Sequence, residues 1–325
     1  MFPRLFPRAL AAVILAAASA TALAAAWPEK AVRVIVAYPP GGVSDAVTRA
    51  ISEKLGERLG VSFVVENKGG AGGTIGMNEV ARATPDGYTI GFSSVSPLVL
   101  SPAIRKTPYD PQSDIAPIGS VMVSPVVLLG IKAFKGKDVA DLISLSKASP
   151  GSLRWATSGQ GSLGHLMLEQ MQQAGKIEVT HVPYKGAGQQ LTDALGGQFE
   201  LISTNMSPAL TTHVAEGTFV PLAIAAPARI ASLPKVPTFN ELGYAAANKM
   251  SVFGFFAPGA TPAAIVAKLN TELNQVVATP EIQKLLVDSN NIPATSTPQQ
   301  FAQDIRDELA SNRQLVEKVA NLKQQ

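Results

Sequence analysis

The chain has 325 residues, with 27 lysines and arginines against 24 aspartates and glutamates, a formal charge of +3 and 46% hydrophobic residues. It holds no cysteine, which excludes disulfides, thiolate metal sites, a cysteine nucleophile and a lipidated amino terminus. The positive excess is small and unclustered, so composition does not point to nucleic acid.

Arg4 and Arg8 precede an apolar run that ends near Leu23, and Ala24-Ala25-Ala26 then leads to Trp27. This is the layout of a cleaved secretory signal: a charged start, an apolar centre and a small-residue cleavage site. The run falls short of the roughly 20 residues that span a bilayer. Residues 1–26 are therefore expected to be a signal peptide and the mature chain to be a periplasmic protein. The three histidines, His165, His181 and His213, have no ligand spacing, so neither a metal nor a cofactor is expected.

Val32–Ala37 reads as a strand, and Val47, Ile51, Leu55 and Leu59 then mark one face of a helix over Ser44–Leu59. Val61–Glu66 is the next strand, followed by a glycine-rich turn and a helix to about Ala83. Thr84-Pro85-Asp86-Gly87 is a turn before the strand Tyr88–Phe92. Further on, Leu153–Thr157, Ile177–Val182, Phe199–Thr204 and Val220–Ala225 are strand-like, and helices are expected over Ser162–Ala174, Ala187–Leu195 and Pro208–Glu216. The apolar stretches Ile115–Ile131 and Ala223–Pro227 are candidates for strands crossing between two lobes. After Pro234-Lys235-Val236-Pro237 come a strand, Val252–Ala257, and a terminal helix marked by Phe301, Ile305, Leu309, Val316 and Ala320. Such β-α-β alternation implies mainly parallel sheets. The predicted architecture is two α/β domains around a cleft: residues 27–123 with 227–325, and residues 124–226.

In open α/β sheets ligands lie beyond the carboxyl ends of the strands, which directs attention to four strand-to-helix turns. The first is Tyr38-Pro39-Pro40-Gly41-Gly42-Val43-Ser44-Asp45. Its prolines fix the backbone, its glycines allow close approach, and Ser44 or Asp45 is placed to start a helix whose first amides face the cleft. Taken alone it is also a common proline-glycine connection. The second, Lys68-Gly69-Gly70-Ala71-Gly72-Gly73-Thr74-Ile75-Gly76, lacks both the third glycine of a dinucleotide fingerprint and a phosphate-loop lysine. What is left is a concave run of amides suited to an anion.

The third turn, Ala156 to His165, places Gly159, Gly161 and Gly164 in a G-x-G-x-x-G pattern. The following strand ends Val179-Thr180-His181-Val182, without the acid that would hold a ribose. Gln160 stands where a G-x-S-x-G nucleophile elbow needs glycine, so Ser162 reads better as a hydroxyl at a helix start. The fourth turn is His181-Val182-Pro183-Tyr184-Lys185-Gly186-Ala187-Gly188. Lys185 is either a solvated side chain or the partner of a bound carboxylate. His165 and His181 show no nucleophile-base-orienter arrangement and read as structural or hydrogen-bonding residues.

These turns form part of an ordered series: YPPGG-x-SD at 38–45, ENKGGAGGTIG at 66–76, TPDGYT at 84–89, PYDP at 108–111, ATSGQGSLGHL at 156–166, HVPYKGAG at 181–188, DALGGQ at 193–198, LPKVPTFNELG at 233–243 and FFAPGATP at 255–262. The series resembles the tripartite tricarboxylate transporter receptors, the Bug family of periplasmic solute-binding proteins, over essentially the whole mature chain. The resemblance implies a type II periplasmic-binding fold with two crossover strands, and a non-enzymatic, monomeric receptor. It also implies a small organic carboxylate as ligand and the membrane permease subunits of the transporter as partner. Carried over by residue, it implies ligand contacts at Tyr38, Gly41, Gly42, Ser44, Asp45, Gly72, Gly73 and Thr74 in the first domain. In the second domain they are Thr157, Ser158, Gly161, Ser162, His165, Tyr184, Lys185 and Gly186.

One position departs from the pattern. Where many relatives carry an aspartate, this chain has Thr204 within Ser203-Thr204-Asn205. Threonine cannot pair with an ammonium group, so the expected ligand is a carboxylate without an amine. Two other readings stay open at this point: a ligand sensor that presents its closed form to a membrane kinase, and a secreted hydrolase using Ser162.

Overall fold

The computed structural model describes residues 27–318; the expected signal peptide and Ala320 lie outside them. The strands are β1 (Val32–Val36), β2 (Phe63–Asn67), β3 (Thr89–Ser94), β4 (Ile115–Ser124), β5 (Val126–Gly130), β6 (Arg154–Thr157), β7 (Thr180–Pro183), β8 (Leu201–Asn205), β9 (Val220–Ala225), β10 (Ser251–Pro258) and β11 (Ile292–Pro293). They form a six-stranded sheet ordered β11-β4-β10-β3-β1-β2 and a five-stranded sheet ordered β7-β6-β8-β5-β9.

In the first sheet β1 runs parallel to β2 and β3, whereas β10 is antiparallel to β3 and β4. In the second, β6 is parallel to β7 and β8, and β5 is antiparallel to β8 and β9. Strands β5 and β10, each antiparallel to both neighbours, follow the two crossings, and the short β11 pairs antiparallel with β4. This is the two-lobed α/β architecture expected, with mixed rather than mainly parallel sheets.

Apolar alternation explains the packing of each lobe. Val47, Ile51 and Leu55 on the helix Val43–Leu59 bury against Val34, Phe92 and Phe255, with Leu269 and Leu273 of the helix Ala263–Val277 in the same cluster. Phe301, Ile305, Leu309 and Val316 bury one face of the helix Pro298–Lys318. In the second lobe Val127, Leu129, Phe199, Ile202 and Phe219 form the core. The helix Val139–Ala148, capped by Asp138 through its carboxylate and the Asp141 amide (2.8 Å), was not anticipated by periodicity.

Three local expectations shift for identifiable reasons. Strand β7 begins at Thr180 and not at Ile177, because Lys176 turns the chain through a left-handed conformation and Gln172 captures the amides of Ile177 and Val179. The first crossing is a single residue, Pro125, between β4 and β5. The second is not the short run Ala223–Pro227. After β9 the chain folds back on the second sheet, where Thr238 bridges Ile224 and Leu233 and Val236 enter the core with Val127. It reaches the first sheet only at Ser251. On that packing we propose a domain boundary nearer Ser251 than the expected 226/227.

Candidate ligand-binding site

The carboxyl ends of β1, β3, β6 and β8 meet at a chamber of about 40 Å³ between the lobes. The first lobe contributes Tyr38, Pro39, Gly42, Val43, Ser44, Ser94, Ser96, Ser251 and Phe253 to its walls. The second contributes Val126, Ser158, Ser162, Leu163, Gly164, Ala187, Ser203, Thr204 and Asn205. A smaller pocket of about 10 Å³ adjoins it, between Gly41, Gly42 and Val43 on one side and Ala187, Leu191, Thr204, Asn205, Ser207 and Leu210 on the other.

Three of the longer helices begin at this chamber: Val43–Leu59 after Gly42, Leu163–Gly175 after Ser162, and Ala187–Leu195 after Gly186. Gly42 and Gly186 supply no side-chain cap, so the first-turn amides of two helices depend on other partners. Ser162 caps the remaining helix, its Oγ accepting from the His165 amide at 3.3 Å. The aligned peptide dipoles leave partial positive charge at all three starts. None of the lining residues is a lysine, arginine, histidine, aspartate or glutamate. Positive potential without a cation is a setting for a carboxylate or another oxyanion.

The remaining polar groups are mostly hydroxyls, held in fixed orientations. Tyr38 Oη lies 2.6 Å from Ser94 Oγ and 3.4 Å from Ser93 Oγ. Burial raises the Tyr38 pKa beyond the opposing effect of those serines, so the phenol keeps its proton and remains a potential donor. Ser94 Oγ also accepts from the Ser96 amide (3.3 Å). Across the cleft, Trp155 Nε1 donates to Ser203 Oγ at 3.0 Å and Ser203 Oγ donates to the Gly164 carbonyl at 3.2 Å.

The structure brings six of the expected residues to the chamber, Tyr38, Gly42, Ser44, Ser158, Ser162 and Thr204, and places Gly41 at the adjoining pocket. It employs the others elsewhere. The Asp45 carboxylate accepts from Arg49 Nε (2.9 Å), Asn67 Nδ2 (3.0 Å) and the Gly41 amide (3.2 Å), thereby bracing the first turn from behind. Thr74 Oγ1 donates to the Ala71 carbonyl (2.9 Å), and Thr157 Oγ1 is 2.8 Å from His181 Nε2. Tyr184 Oη donates to Asp193 at 2.7 Å; burial and that carboxylate push its pKa up to about 12. Lys185 is exposed and outside the lining. His165 is buried behind the turn, where Nδ1 accepts from the Gly161 amide (3.3 Å) and the ring stacks on His181 at 4.4 Å.

Gly72, Gly73, Gly161 and Gly186 fall outside the lining because they pack at the contacts around the chamber. Gly72 has φ +66°, and a Cβ there would lie 2.5 Å from the Gln160 carbonyl of the opposite lobe. A Cβ on Gly186 would meet Pro39 Cδ at 2.4 Å. Only glycine allows the two lobes to approach this closely. Arg105 spans the same seam, donating to Gln160 Oε1 and the Ala71 carbonyl, each at 3.1 Å.

Ser94, Ser96, Ser203, Asn205, Ser251, Val126 and Phe253 line the chamber without having been singled out in the sequence. Ser93-Ser94-Val95-Ser96 was legible as a polar strand end, since the same rule that selected the four turns applies to β3. Ser251 and Phe253 carried no such signal, because the direction of β10 is a matter of topology.

Comparison with known proteins agrees with this geometry. BugT of Bordetella pertussis is 33% identical over 285 residues, covering 87% of each chain. A solved structure of a periplasmic transporter has a TM-score of 0.85 at 37% identity, covering 90% of this chain and 98% of that one. MatC from Rhodopseudomonas palustris with bound malate has a TM-score of 0.84 at 29% identity, covering 89% and 100% respectively. Residues 47–321 match the tripartite tricarboxylate transporter family receptor, and the chain belongs to that family, among the Bug proteins.

Proposed function

We propose that this receptor captures a small organic carboxylate between its lobes and delivers it to the membrane permease subunits of a tripartite tricarboxylate-type transporter. The supporting observation is the convergence of three helix starts on a chamber lined by hydroxyls and free of charged side chains. A carboxylate gains charge-assisted bonds from such amides without a matched cation. Export through the signal sequence at residues 1–26 would place it in the periplasm. No catalytic role is assigned to Ser162, whose hydroxyl is the cap of its own helix.

The same lining gives an ammonium group no counter-charge, Thr204 standing where an acid would provide one. Burial of an unpaired charge is costly, so amino acids should bind less well than amine-free acids. Calorimetry and thermal shift with malate, succinate, citrate, acetate, aspartate and glutamate test both statements. A ligand at 100 times its Kd should stabilise the protein by about 2.7 kcal/mol. Silence across the panel would overturn the carboxylate reading, and preference for aspartate or glutamate would overturn only the amine-free refinement.

A further inference from the structure

An asparagine ties each crossing between the sheets. At the second, Asn248 uses both ends of its amide on one residue: Nδ2 donates to the Ala226 carbonyl (2.9 Å) and Oδ1 accepts from the Ala226 amide (3.2 Å). At the first, Asn205 Nδ2 lies 3.4 Å from both the Ser124 and the Pro125 carbonyl. The next amide, Met206, also donates to Pro125 at 3.3 Å. Asn205 is the last residue of β8 and pairs with Val126, the first residue after the crossing.

The two asparagines differ in what else they face. Asn248 is absent from the walls of both chambers, whereas Asn205 lines the main chamber and its neighbour. Val126 and Ser251, beside the two crossings, line the main chamber as well. Ser124 Oγ is fully buried without a hydrogen-bond partner.

We infer that Asn205 is a positioning residue that couples ligand occupancy to the conformation of the first crossing. The inference rests on the carboxylate-receptor reading above. Closure of two lobes concentrates backbone change in a few connecting residues, and a ligand drives closure only through contacts that differ between the states. With Nδ2 on the crossing, the amide oxygen of Asn205 is left for a ligand hydroxyl or an ordered water. A partner on that oxygen polarises the amide and strengthens the two long bonds at its nitrogen. One side chain thereby reads the chamber and holds the hinge.

The test compares Asn205→Ala with Asn248→Ala in the full-length mature protein, using malate as the probe, or whichever of acetate, succinate and citrate binds most tightly if malate does not. Calorimetry reports affinity, and small-angle scattering reports compaction on saturation. Asn205→Ala should weaken binding about tenfold and diminish the ligand-induced fall in radius of gyration at saturation. Asn248→Ala should lower the melting temperature while keeping both affinity and compaction. Asn205→Leu, similar in size and uncharged but with no donor for the two carbonyls, should repeat the Asn205→Ala result and serves if that variant does not fold. Parent-like binding and compaction in the Asn205 variants would overturn the coupling. Weaker binding with unchanged compaction would also overturn it, reducing Asn205 to an ordinary ligand contact. Failure of the parent to bind any of these four acids, or aspartate or glutamate, would overturn the carboxylate reading itself.

Discussion

The first two glycine-rich turns are near-equivalents in sequence and diverge in use. Both follow parallel strands of the first sheet, β1 and β2, and both lead into helices. The turn after β1 puts Tyr38, Gly42 and Ser44 on the chamber, with a helix start directed there. The turn after β2 puts Gly72 against the Gln160 carbonyl and Gly73 against Pro97 and Tyr38. Its glycines accommodate protein neighbours and lie outside the chamber lining. A glycine in a sequence states that something comes close to the backbone; it does not state what.

The comparison breaks most visibly at Gly72. In Gly72→Ala the side chain would enter a left-handed conformation and collide with the opposite lobe's backbone. The strain and the clash together should weaken carboxylate binding about a hundredfold, at roughly 1–2 kcal/mol each. Circular dichroism should still show folded lobes, since both penalties fall on their contact. Gly42→Ala provides the contrast. Gly42 has φ −87°, and its added Cβ would rest 3.6 Å from Ala187 Cβ, an ordinary contact. Affinity there should change by less than about threefold; a hundredfold loss would return conformational importance to the first turn's glycines.

A smaller effect sharpens the role of the seam. Arg105→Gln removes the guanidinium fork joining Ala71 to Gln160, and calorimetry should show affinity reduced about threefold to tenfold, the range for one or two partly exposed hydrogen bonds. An unchanged affinity would mean that the glycine contacts alone hold the seam.

The smallest effect is expected from Asp45 under acid. Burial raises the pKa of this carboxylate, but Arg49, the Gly41 amide and Asn67 outweigh burial and hold it below its ordinary value of 3.8. A depressed folded pKa contributes stability that is fully present above the unfolded value and is lost as pH falls through the folded one. Melting temperature should therefore decline below about pH 4, with the first turn loosening as Asp45 releases Gly41. Asp45→Asn should flatten that part of the profile. A variant with the same acid slope as the parent would remove Asp45 from the account.

The fold was legible where a pattern of neighbours in sequence carries the information. Val47, Ile51 and Leu55 show a helical stripe, Val220–Ala225 was placed as the strand it is, and Ala187–Leu195 as the helix it is. The site was legible in part for the same reason: Tyr38, Gly42, Ser44, Ser158 and Ser162 lie at strand-to-helix turns, whose place at the sheet edge follows from β-α-β order. Lys185, which the sequence leaves open between a solvated side chain and a carboxylate partner, is solvent-exposed and outside the chamber lining, where the positive potential comes from helix starts.

Sequence by itself determined the local elements, the absence of cysteine chemistry and the strand-to-helix turns at which helices begin. Those follow from side-chain periodicity and from which residues interrupt it. That the first helix starts after Gly42 without a side-chain cap, and not at Ser44 or Asp45, came from the structure. Tertiary structure alone decided which glycines line the chamber and which lie outside it against protein neighbours. It alone brought Ser251 and Phe253 from antiparallel β10 to the same chamber as Ser94 and Asn205. It also folded residues after β9 back onto the second sheet before the chain crossed. Each of these depends on the meeting of surfaces distant in sequence, and no spacing of residues along the chain encodes the distance between two lobes.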